Sequence, residues 1–165
     1  MPRVIVPVEK VMQLPMCYRV TIPTEYLDML GHMNVSWYYT IFGRSAMAFM
    51  GAIGLTEDYI KSRNSGNFVL RQVIDFVNEV RVDETVAVYC RLIGRNAKRL
   101  HQQHYMINET TGALAAIMET LASHADLIAR RTSPFPDDMA ALLDEKLAEV
   151  ADLDWEPPLS GAIHG

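Results

Sequence analysis

From Met16 to Ile22 the chain alternates, with Met16, Tyr18, Val20 and Ile22 on one side and Cys17, Arg19 and Thr21 on the other. That period of two predicts a half-buried strand, ended by Pro23. Thr24 to Met33 reads as a loop with Gly31 as its turn residue. Asn34 suits a helix cap, and the helix begins at Val35. Tyr38, Ile41, Phe42, Ser45, Ala46 and Phe49 form its buried stripe, and Gly51 and Gly54 stop it. Gly43 inside this helix costs about 1 kcal/mol against Ala and leaves room for a closely packed neighbour.

After a polar stretch, Lys61 to Asn67, the segment Phe68 to Val80 is rich in β-formers. Glu84 to Ile93 alternates again, with Val86, Val88, Cys90 and Leu92 on one apolar face. The turn Gly94-Arg95-Asn96 leads into a paired strand, Lys98 to Ile107, and Asn108 to Gly112 supplies another turn. Ala113 to Arg130 is ambiguous: Leu114, Ile117, Met118 and Leu121, among alanines, favour a helix on local grounds. Past Pro134 and Pro136, Asp137 or Asp138 caps a final helix with the stripe Met139, Leu142, Leu143, Leu147 and Val150. Its charges Asp137, Asp138, Asp144, Glu145 and Lys146 make a solvated face. Residues 1–15 read as an irregular lead-in and 151–165 as an irregular, loosely held tail. One domain over 16–150 remains.

Composition narrows the function classes. A chain of 165 residues, half apolar and 21% charged, suits one soluble domain. The net charge of −5 argues against a nucleic-acid binder. No apolar run long enough to span a bilayer occurs, and the first residues lack a secretory core, so a cytoplasmic protein is expected. Cys17 and Cys90, 73 positions apart, are the only cysteines. Without a CxxC or Cys/His cluster no metal site is expected, and the two are read as free thiols of a reducing compartment.

Candidate chemistry gathers in Asp28-Met29-Leu30-Gly31-His32-Met33-Asn34. It sets a carboxylate one short turn from the free N–H groups of a helix start, where negative charge is stabilised. Acyl transfer needs those two parts, a base or nucleophile and donors for the oxyanion. Asp28, Gly31, His32, Met33, Asn34 and Tyr38 resemble the Asp-x-x-Gly-His-(Val/Met)-Asn loop and following helix of the 4-hydroxybenzoyl-CoA thioesterase-like branch of the hotdog superfamily. The resemblance covers roughly 16–145, including Arg130 to Pro136 before the final helix. It implies an α+β fold with an antiparallel sheet wrapped around one long helix, and makes Ala113–Arg130 a strand. Two departures stand out: Val35 replaces a second Asn of many relatives, and Gly43 a helical Glu. The first leaves the Val35 backbone N–H as oxyanion donor; the second leaves Asp28 as the principal carboxylate.

What the resemblance implies is hydrolysis of an acyl-CoA thioester without cofactor, in a homodimer or homotetramer whose sites lie between chains. His32 is expected to hold the loop backbone and Asn34 to brace the helix start. Trp37, Tyr38 and Phe68 are candidate walls of an acyl pocket. Arg95, Lys98 and Arg99 are either a solvated hairpin turn or contacts to the CoA phosphates. His101 and His104, three apart on a strand, point to opposite faces and suit no common metal ion. A narrower resemblance, to the betainyl-CoA thioesterases of carnitine breakdown, rests on Lys98-Arg99-Leu100-His101, His104, Met106, His124 and Asp126. An acyl-carrier-protein thioesterase and a non-catalytic acyl-CoA binder of the same fold are the rival expectations.

Overall fold

The computed structural model describes residues 6–164. In chain order the elements are α1 (Val8–Val11), β1 (Met16–Thr21), α2 (Val35–Ala52), α3 (Glu57–Arg63), β2 (Ser65–Phe76), β3 (Thr85–Arg95), β4 (Arg99–Asn108), β5 (Ala113–Asp126), β6 (Arg131–Thr132) and α4 (Asp137–Glu149). A 3₁₀ turn, Thr24–Tyr26, follows β1. The sheet runs β1-β3-β4-β5-β2, with β6 paired to the end of β5. Connections of three and four residues join β3 to β4 and β4 to β5, too short for anything but antiparallel pairing. The α+β expectation therefore holds.

β3, β4 and β5 are buried along both faces for most of their length. A strand covered on both sides loses the polar half of its alternation. This corrects the one-sided expectation for Glu84 to Ile93, since Ala87 and Tyr89 are as hidden as Val86 and Val88. It also explains why Ala113 to Arg130 looked helical: Ala115, Ala116, Ala122 and Ala125 fill a crowded layer of strand β5, not one stripe of a helix.

Several boundaries differ from expectation for local reasons. A β-bulge between Met16 and Tyr18 breaks the alternation of β1 and leaves Met16 exposed. The polar stretch before β2 hides α3, capped by Thr56, whose side chain accepts from Tyr59 N at 3.1 Å. β2 itself begins at Ser65 and ends at Phe76, short of Val80. Neither Asp137 nor Asp138 caps α4; its N-cap is Pro136. Asp138 pairs with Arg63 and Asp144 with Arg95, so the outer face of α4 is not merely solvated. Gly43 is exposed and meets no neighbour.

Two compact units divide the chain. The first contains the chain through Ala48, with Ile74–Arg91 and His104–Met118; the second contains Phe49–Val73, Leu92–Gln103 and everything from Glu119 on. In the first, the α2 residues Tyr38, Ile41, Phe42 and Ser45 are buried, as the spacing predicted. Phe42 and Ser45 both meet His104 of β4. The lead-in is less irregular than expected: Val6, Val11 and Leu14 are buried around α1, while residues 1–5 lie outside the described ones. In the second unit the tail is held, not loose. Gln103 Nε2 donates to Pro158 O at 2.8 Å, Ser160 N donates to Glu119 at 2.6 Å, and Ile163 is buried. His101 faces Glu119 at 2.8 Å, on the side of β4 opposite to His104.

Burial pushes His104 down to about 3, and His124 down in the same direction. Their unfolded counterparts titrate near 6.5, so between those values the unfolded chain binds more protons. Stability is then full above about pH 6.5 and falls with acid, by up to about 1.4 kcal/mol per pH unit for His104, with His124 acting in the same direction. Urea unfolding at pH 7.5 and 5.5 should show this loss, and His104→Gln should remove part of it. Equal stability at both pH values in the native protein would contradict it.

Candidate active site

Loop 27–34 is closed by its own backbone. Leu27 and Met33 form an antiparallel bridge, Asp28 N donates to His32 O at 3.0 Å, and Gly31 N donates to Asp28 O at 3.1 Å. Gly31 has φ +81°, a conformation that side chains resist, so its place as turn residue is physical. Two further bonds fasten the loop to its surroundings, Met33 N to Val80 O at 2.7 Å and Asn34 N to Tyr26 O at 2.9 Å. Asn34 caps α2: its Oδ1 accepts from Ser36 N at 3.0 Å and Ser36 Oγ at 2.7 Å.

Asp28 is oriented from within this loop. Its Oδ1 accepts from Leu30 N at 2.8 Å, and its Oδ2 is turned toward His32 Nδ1 at 3.8 Å. One oxygen is thus held by the backbone while the other remains available. Val35, the first residue of α2, has an N–H with no carbonyl one turn earlier to receive it. Asp28, His32, Asn34, Val35 and Tyr38 line one cavity of about 400 Å³ together with Met33 and the segment Phe76–Glu79.

Tyr38 is buried, meets the ring of Phe76 edge-on at 5.2 Å, and donates from its hydroxyl to Asn78 O at 3.3 Å. Burial foremost, with Glu79 and Glu84 adding, pushes its phenol up to about 12, so it stays a neutral donor. Glu79 pairs with Arg81, whose guanidinium holds this carboxyl below its ordinary range.

The remaining candidates are placed differently. Trp37 stacks on Tyr26 at 3.5 Å. Phe68, in the second unit, lies beneath the guanidinium of Arg130 at 5.3 Å. Arg95 is held by Asp144 through two bonds of 2.7 and 2.5 Å, whereas Lys98 and Arg99 are exposed at the β3–β4 hairpin. Phe76, Val77, Asn78 and Glu79 also line the cavity, although as sequence they read only as part of a run of β-formers. The Asn78-Glu79 interruption of that apolar run was the only available signal.

The family model described as thioesterase-like superfamily matches residues 22–143. A betainyl-CoA thioesterase of Pseudomonas aeruginosa is 29% identical over 133 residues, 81% of this chain and 83% of that one. A protein of Agrobacterium fabrum named L-carnitine dehydrogenase/betainyl-CoA thioesterase is 31% identical over 124 residues, 75% of this chain but only 25% of its own length. Among solved structures, a Staphylococcus aureus protein in complex with CoA superposes with a TM-score of 0.80 at 20% identity, covering 92% of this chain and 96% of that one. The likeness is one of fold, the hotdog arrangement.

If the Val35 N–H receives negative charge, it can be removed without harming the helix. Proline is favoured at a first helical position and lacks the donor, and a capping residue such as Asn34 ordinarily takes the extended backbone that a following proline requires. Val35→Pro should keep its thermal midpoint and lose about 10²–10³-fold in kcat, as oxyanion donors do. Unchanged turnover would exclude this N–H.

Proposed function

The chain belongs to the thioesterase-like superfamily, and on that basis we propose that it hydrolyses an acyl-CoA thioester to the free acid and CoA, with Asp28 as the reacting carboxylate. One observation carries this: Asp28 and the start of α2 are walls of the same cavity. The thioester carbonyl docks with its oxygen toward the Val35 N–H, where the end of the helix stabilises the oxyanion. Asp28, through Oδ2, either takes a proton from water or attacks the carbonyl carbon to give an acyl anhydride that water then opens. CoA departs as a thiolate and needs little protonation. His32 and Asn34 hold the loop, and no cofactor enters. In a thiol-release assay Asp28→Asn should fold normally and retain less than about a tenth of kcat, a loss above about 1.4 kcal/mol. More activity than that would overturn the assignment.

The betainyl-CoA relatives guide the acyl group. A trimethylammonium offers no N–H, so it is recognised by aromatic faces and carboxylates, each ring contributing about 0.5–2 kcal/mol. Tyr38, Phe76 and Glu79 in the cavity supply such groups. Betainyl-CoA should therefore far outpace its neutral tert-butyl isostere in kcat/KM, and Phe76→Leu should narrow the gap. Equal hydrolysis of both substrates would remove the cation and leave the thioesterase reading standing.

Lys98 and Arg99 are the cations offered to the CoA phosphates. We further assign a homodimer or a dimer of dimers. β2 is an outer strand of the sheet, and Phe68, Val69, Leu70 and Phe76 on it are each more than a third exposed. Pairing of two such edges hides both. Light scattering should exceed the 18.6 kDa of one chain at least twofold; a monomer would reject this assembly. A cytosolic setting agrees with two free thiols.

A further inference from the structure

A second cavity, of about 300 Å³, lies at the β3–β4 hairpin and is lined by Gly94, Arg95, Asn96, Arg99, His101 and Leu121. All six belong to the second unit, and none of them lines the cavity that holds Asp28. The polar groups on its wall differ in what they can still offer. Arg95 is engaged by its two bonds to Asp144. The Arg99 side chain is exposed and has no partner among the described residues. Asn96 Oδ1 accepts from Lys98 N at 2.9 Å and from Arg99 N at 2.8 Å, which holds the turn and leaves the amide Nδ2 as a donor.

His101 is set by a buried acid. Ser160 N donates to one oxygen of Glu119 at 2.6 Å, and His101 Nε2 lies 2.8 Å from the other. A carboxylate accepts, so the proton of the neutral ring sits on Nε2 and Nδ1 is left as an acceptor. That nitrogen has no partner among the described residues. A bare phosphate would meet its lone pair with another, whereas a ligand hydroxyl would donate to it. Arg99 and His101 are two positions apart on β4, hence on one face with Cα atoms about 7 Å apart. Leu121, on the neighbouring strand β5, adds an apolar wall.

We propose that this cavity binds a ribose phosphate, with the phosphate monoester on Arg99 and the Asn96 amide and the hydroxyl of the adjacent carbon donating to His101 Nδ1. Arginine meets phosphate oxygens with paired N–H groups, and one unpaired guanidinium suits one phosphate. The sugar carbons lie against Leu121. Two sources supply this chemistry: the nucleotide end of CoA, where a 3′-phosphate stands beside a 2′-hydroxyl, or a free 3′-phosphorylated nucleotide. Only the first source rests on the acyl-CoA reading.

The test is calorimetric titration of adenosine 3′,5′-bisphosphate into the native protein and into Arg99→Gln, a surface substitution that the fold tolerates. The native protein should bind it, and Arg99→Gln should bind it at least about tenfold more weakly, as the loss of a charged hydrogen-bond partner does. The 2′-deoxy analogue should lose about threefold to tenfold, the effect of one neutral hydrogen bond. Repeating the titration with CoA at saturation separates the sources. A vanished signal assigns the site to the ribose of CoA, and an unchanged one assigns it to a free nucleotide. No uptake of the bisphosphate at millimolar concentration, equal binding by Arg99→Gln, or equal binding of the 2′-deoxy analogue would each overturn the proposal. Titration needs no turnover, so a protein that binds the bisphosphate but releases no thiol from acyl-CoA would sink the thioesterase reading and leave this site standing.

Discussion

A backbone donor removed from water must find an acceptor, and loop 27–34 meets much of that demand with main chain, Leu30 N being served by the Asp28 carboxylate. The bonds from Asp28 N, Gly31 N, Met33 N and Asn34 N fix where the chain enters α2. The position of the carboxylate follows from them, as does the direction in which the Val35 N–H points. Asn34 completes the arrangement by occupying Ser36 N and leaving the first donor of the helix without a partner in the loop. The geometry of this side of the cavity is mainly a matter of closing one short loop correctly.

Much of this was legible because it is local. A turn glycine, a capping asparagine and a 3.6-residue stripe are decided within a few positions, and Gly31, Asn34 and the α2 stripe lie where their types suggested. Residues whose environment comes from distant chain were not legible. Nothing around Ala113 to Asp126 says that both faces of β5 are covered, so its alanines imitated a helix. Phe76 to Glu79 reach the cavity only because β2 ends early and Met33 binds Val80. The bulge at Cys17 is likewise a product of pairing between strands far apart in sequence.

The cations show the same limit. Arg95, Lys98 and Arg99 are equivalent as sequence, three basic residues around one turn. Two of them remain exposed, whereas Arg95 is claimed by Asp144. A bidentate pair of this kind is geometrically specific, and its partner lies on a helix some fifty residues later, beyond any local pattern. Its net effect on stability is modest at the surface; it decides which of the three cations is tied to a carboxylate and which stay exposed.

The held tail carries a practical consequence. Glu119 is almost fully buried, and its acceptors are served by His101 on one side and Ser160 N on the other. Residues 155–164 have no helix or strand and look, by hydropathy, like a segment to discard before crystallisation. Shortening the chain there would strip a buried acid of one of its donors and uncover the Gln103 amide, leaving polar groups in the interior that water would have to invade to satisfy. Those last residues serve the interior of the domain although they lie at the end of the chain.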